Sequence, residues 1–85
     1  MDKPLEGIRV IAIEQFGAGP YGSMYLAELG ADVIKVENRA TGGDPSRQSG
    51  AVTLADDDSA YFQAFNLSKR SVTVNLKSTE GRAIF

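Results

Sequence analysis

Gly17, Gly19 and Gly22 stand in a G-x-G-x-x-G spacing, and Glu37 follows twenty residues after Gly17. In that arrangement backbone amides can hold a pyrophosphate while the carboxylate takes ribose hydroxyls. The mechanism needs the first glycine at the very end of a strand, so that the amides and the helix N-terminus face the anion. Here Glu14, Gln15 and Phe16 intervene, Glu14 sets a carboxylate near the anion position, and Pro20 removes an amide. A ligand-free strand-to-helix turn is the plainer account, and an NAD(P)-binding oxidoreductase domain stands as the alternative.

The chain has no His and no Cys. Imidazole acid–base chemistry, Ser–His and Cys–His pairs, disulfides and structural zinc are therefore excluded from these residues. Any reacting group here must be a carboxylate, Lys, Tyr or the backbone. Asp56, Asp57 and Asp58 are adjacent, and adjacent carboxylates do not converge on one ion, so they read as a solvated acidic turn and not a metal site. Nine Lys/Arg against eleven Asp/Glu give a net charge of −2, without the basic surplus that binds nucleic acid or an anionic membrane. With no long apolar run and no leader-like start, the expected location is the cytoplasm.

These groups need a scaffold, and 85 residues with 42% hydrophobic content allow one domain at most. Residues 8–13 form a β-branched run, expected as a strand buried on both faces. Gly17 to Pro20 make a turn into a helix starting near Pro20, with Met24, Leu26, Ala27 and Leu29 as its apolar stripe and Gly30 as a left-handed terminator. Residues 31–37 read as a second strand, completing a βαβ unit with a parallel sheet. The stretch 39–58 specifies no regular element, and a loop of that length is a candidate lid. Ser59 caps a short helix that carries Tyr61, Phe62 and Phe65 inward. Residues 71–76 form a third strand with Val72, Val74 and Leu76 on one face. Ser78 then caps a terminal helix that stops on Ile84 and Phe85 without a cap, as expected of a piece of a longer protein.

The segments Pro4 to Val10, Ala18-Gly19-Pro20, Leu29 through Glu37, Lys69-Arg70-Ser71-Val72, and Leu76 to Gly81 together resemble the N-terminus of the family III CoA-transferases. That family includes formyl-CoA and carnitine CoA-transferases and α-methylacyl-CoA racemases. The resemblance implies an α/β fold: a Rossmann-like open parallel sheet, βαβ plus a further strand and helix, truncated from a larger domain. It also implies an interlocked homodimer in the longer protein and no tightly bound cofactor. Coenzyme A and acyl-CoA enter as substrates, with small carboxylic acids as partners, and CoA is exchanged through anhydride and thioester intermediates on an Asp side chain. None of Asp32, Asp44, Asp56, Asp57 or Asp58 matches that nucleophile's motif, so no catalytic residue is assigned among these positions and the 85 residues alone are expected to be inactive. A racemase of the same family would instead remove an α-proton from acyl-CoA.

By the same resemblance, Phe16, Gly17 and Ala18 lie along the pantetheine and thioester end. Gln15 sits near the acyl group, and Gly17 lacks a Gln side chain that formyl-CoA-type members have. Arg39 is expected to grip the adenosine phosphates as a guanidinium can. Val74 and Lys77, at the exit of the third strand, are expected to hold the adenine and its ribose phosphate. Lys69 and Arg70 are expected to face solvent or steady the start of that strand.

Overall fold

A computed structural model describes residues 3–50, 52–55 and 58–85. Strands β1 (Arg9–Ile13), β2 (Asp32–Asn38) and β5 (Arg70–Val74) form one parallel sheet in the order β1-β2-β5. Helix α1 (Ala18–Glu28) connects β1 to β2. Short strands β3 (Thr53–Ala55) and β4 (Asp58–Ser59) pair antiparallel, and helices α2 (Ala60–Phe65) and α3 (Thr79–Ile84) flank β5 in sequence.

The register pairs Val10 with Val33, Ala12 with Lys35 and Asn38 with Val74. Because side chains alternate along a strand, the sheet has two unlike faces. One carries Val10, Ala12 and Val33, which pack with Ala27 and Ala31 as the apolar core, followed along β2 by Lys35 and Glu37. The other carries Ile11, Ile13 and Val72, all exposed, Ile13 to 62%. The expectation that the first strand is buried on both faces is thus corrected: along β1 the second face is exposed, and on that face only Val36 of β2 and Val74 of β5 are buried among the described residues.

Helix α1 begins at Ala18, two residues before Pro20, and ends as predicted. Gly30 has φ 108, its amide donates to the Ala27 carbonyl and the Ala31 amide to that of Leu26, the paired bonds of a left-handed helix terminus. The buried stripe is Pro20, Ser23, Met24 and Ala27, while Leu26 and Leu29 stay exposed, correcting the predicted stripe in which they took part. Ser59 and Ser78 cap α2 and α3 through their hydroxyls, which accept from Phe62 and Gly81 amides. Of the α2 aromatics only Phe62 is buried; Tyr61 is exposed and stacks with Phe65. The third strand ends at Val74, so Leu76 falls in the turn that follows it.

The described residues of the 39–58 stretch are not without regular structure, which corrects that expectation. They include 3-10 turns at Arg39–Thr41 and Pro45–Gln48, and Asp44 and Ser46 are completely enclosed. The segment is fastened by polar side chains instead of apolar ones, which is why its sequence reads as loop. Asp56 and Asp57 lie outside the described residues.

Candidate functional site

At the C-terminal ends of the three parallel strands lies a cleft of about 470 Å³. Ligands in open α/β sheets bind at this end of the strands. Ile13, Glu14 and Gln15 contribute from the end of β1, Val36, Glu37 and Asn38 from β2, and Val74, Asn75, Leu76 and Lys77 from β5 and its exit, with Asp44 from the intervening segment.

The structure brings Gln15, Val74 and Lys77 to this cleft together. Phe16, Gly17 and Ala18 follow Gln15 directly but do not line it, and neither does Arg39, which opens the 3-10 turn next to Asn38. Since Asn38 pairs with Val74, Arg39 and Lys77 leave the sheet at the same end. Both are exposed, and neither side chain forms an ion pair with the described residues.

Beneath the cleft runs a buried network of charges. Lys35, 1% exposed at its side chain, lies 2.8 Å from Asp44 and 3.3 Å from Glu14. The Lys69 ammonium donates to Glu14 at 2.7 Å, to the Pro20 and Phe65 carbonyls and to Asn66. Lys69 is therefore enclosed, which corrects the solvent-facing alternative for it, while Arg70 is exposed and pairs with Asp32. Glu37 accepts from Arg47 through both carboxylate oxygens, at 2.8 and 2.7 Å, from the Asp44 amide at 2.7 Å and from the Ser71 hydroxyl. Arg47 in turn lies 3.9 Å over the Phe62 ring, a favourable site for a guanidinium.

Burial pushes the Glu37 pKa up, but Arg47, the Asp44 amide and Ser71 outweigh it and lower it from 4.5 to about 2. Burial is likewise overcome at Glu14 by Lys69 and Ser23, and at Asp44 by Lys35 and the Ser46 and Phe16 amides; both carboxyls are held below their ordinary range. Burial dominates at Lys69 and lowers its pKa despite Glu14.

These contacts decide what the carboxylates can do. Glu37 has no free acceptor position to offer ribose hydroxyls, and Asp44, engaged by a lysine and two amides, is not poised as a nucleophile. The glycine spacing loses its force as well. A Cβ at Gly22 would touch nothing, and Gly17 has φ −113, open to any residue; only Gly19 is crowded, against the Glu14 side chain. Little of the buried network has a local sequence signal, since Lys35 and Lys69 meet Glu14 from 21 and 55 residues away.

A parallel three-stranded sheet with helices and a cleft at its strand ends defines an open-sheet α/β domain. Its family follows from the sequence: a profile of CoA-transferase family III matches residues 5–85, and the chain belongs to that family. It is 43% identical over 82 residues to the succinyl-CoA–L-malate CoA-transferase alpha subunit of Chloroflexus aurantiacus, covering 96% of this chain and 19% of that protein. It is 48% identical over 86 residues to the succinate–glutarate CoA-transferase of Agrobacterium fabrum, covering 95% and 21%. A solved CaiB/BaiF family protein from Brucella suis superposes with a TM-score of 0.85 at 38% identity, over 99% of this chain and 22% of that one. The chain thus spans about a fifth of the length of the relatives it matches.

Proposed function

We propose that this chain is the N-terminal, CoA-binding part of an acyl-CoA:carboxylate CoA-transferase. The nucleophilic Asp and the residues that select the acids lie outside these 85 positions. The observation that carries the reading is the match over nearly the whole chain to CoA-transferases of the family, joined to a cleft at the strand ends with Lys77 at its edge. In this reading the sheet is the start of a Rossmann-like domain of an interlocked homodimer. CoA lies across the strand ends, with adenine along Val74, its phosphates toward Lys77 and Arg39, and the thioester end toward Gln15, Phe16, Gly17 and Ala18. Phosphate recognition needs cations that are not already neutralised, and Arg39 and Lys77 meet that requirement where Lys35 and Lys69 do not.

The test is thermal melting of the full-length protein with CoA, dephospho-CoA or NAD at matched concentrations, because a ligand of the native state raises its apparent stability. The expected result is a rise with CoA that shrinks without the 3′-phosphate and flattens in Lys77→Ala. A rise with NAD alone overturns the reading. Exchange of CoA between two carboxylic acids then separates a transferase from a racemase, which would show deuterium entering the α-carbon with no exchange.

A further inference from the structure

Among the described residues, Phe16 is one of two non-glycine residues with positive φ, at 64. Such a conformation is uncommon for a bulky side chain and persists where surrounding contacts enforce it. The enforcing contact is visible: both carboxylate oxygens of Asp44 face the Phe16 amide, at 3.2 and 3.3 Å. Asp44 is itself held from several sides. Its carboxylate takes the Lys35 ammonium at 2.8 Å and the Ser46 amide at 2.9 Å, its own amide donates to Glu37, and its side chain is wholly enclosed. A rigid, ionised acceptor thus fixes the plane of the Gln15–Phe16 peptide, turning the Gln15 carbonyl away from Asp44 because a trans peptide directs its N–H and C=O oppositely.

We infer that Asp44 is a positioning residue for the acyl-CoA site: it presets the Gln15–Ala18 turn in its ligand-receiving conformation before any ligand arrives. The inference rests on the proposed function, which lays the thioester end of CoA along that turn. Preorganisation removes an ordering cost from binding, and misplacing a positioning element by about 1 Å can cost on the order of a hundredfold in rate. Asp44 adjoins the cleft, but its carboxylate is wholly enclosed, so it acts through Phe16.

The experiment measures CoA affinity by calorimetry, and KM and kcat for acyl-CoA, in the full-length protein and three variants. Asp44→Asn places an amide donor among the donors of Lys35, Phe16 and Ser46, and is expected to weaken CoA binding and raise KM by about tenfold or more, with a smaller change in kcat. Ser71→Ala loosens the same network at Glu37 but leaves the Asp44 carboxylate and its bonds to the Phe16 amide in place, and is expected to lower Tm while leaving CoA affinity unchanged. Phe16→Gly adopts positive φ unaided, so adding Asp44→Asn in that background is expected to cost much less than it does in the wild type.

Wild-type affinity in folded Asp44→Asn, or equal losses from Asp44→Asn and Ser71→Ala, overturns the inference. If Asp44→Asn does not fold, hydrogen exchange at the Phe16 amide of the ligand-free wild type decides: slow exchange supports a preset turn, and exchange at the open-chain rate overturns it. Failure of the wild type to bind CoA at all sinks the functional reading and leaves the exchange result to judge the preset turn separately.

Discussion

Ion pairs occupy both ends of the sheet, and they do different work. At the start of the strands, Asp32 bridges Arg9 and Arg70, each the first residue of its strand and each about two-thirds exposed at its side chain. Toward the other end, Lys35, Glu14, Asp44, Lys69, Glu37 and Arg47 neutralise one another largely out of water. Exposed pairs gain little because water already solvates them. Buried ones become indispensable to each other, since removing one partner strands a charge in a medium that cannot solvate it. Chemically similar pairs are therefore optional at one end of the sheet and structural at the other, directly under the cleft.

The sharpest way to break this comparison is Lys35→Met. It leaves Asp44 without its cation and is expected to destabilise the fold by about 3–5 kcal/mol. Adding Asp44→Asn should cost less than the sum of the two single changes, as expected for residues in contact. Chemical denaturation of the full-length variants reads both, and additivity would contradict a coupled network.

Acid should probe the same network more gently. Glu37 has a folded-state pKa of about 2 against an ordinary 4.5. Its stabilising contribution is therefore complete above about pH 4.5 and lost as pH falls toward about 2, worth on the order of 3 kcal/mol. The lowered Glu14 and Asp44 act in the same direction. In Glu37→Gln the decline of stability over that range should flatten, and an unchanged decline would remove Glu37 from the account. The smallest effect is expected at Asp32, also lowered, chiefly by Arg70. Asp32→Asn should shift Tm least of these changes, and raising salt should erase the shift by screening. A Lys35→Met loss that salt erased equally would make the two ends alike.

Much of the scaffold was legible in the sequence because its signals are local. Ser59 and Ser78 cap the helices they precede, Gly30 ends α1 as a left-handed residue, and the β-branched runs are strands within a residue or two. Gln15, Val74 and Lys77, expected from the family resemblance to contact CoA, line the cleft. The expectation that 39–58 holds no regular element failed because Asp44, Ser46 and Arg47 look like ordinary loop residues until Phe16, Lys35 and Glu37 are brought to them. The solvent-facing alternative for Lys69 fell for the same reason: a lysine's burial depends on acceptors such as Glu14, 55 residues away. Leu26 and Leu29 misled in the opposite way, since apolar character alone does not say whether a covering surface is present.

Lys35 and Glu37 also bear on how the strands find one another. Along β2 they alternate with Ile34 and Val36, so a slip of one residue against β1 would exchange the two sets. The lysine and the glutamate would then lie beside Ile11 and Ile13, stripped of Asp44, Glu14 and Arg47, while the isoleucine and valine faced polar partners. In a sheet of purely apolar strands such a shifted pairing would be nearly as comfortable as the correct one. Here the interior charges act as a key cut for one alignment, and a mispaired sheet is turned back by the charges it leaves unanswered.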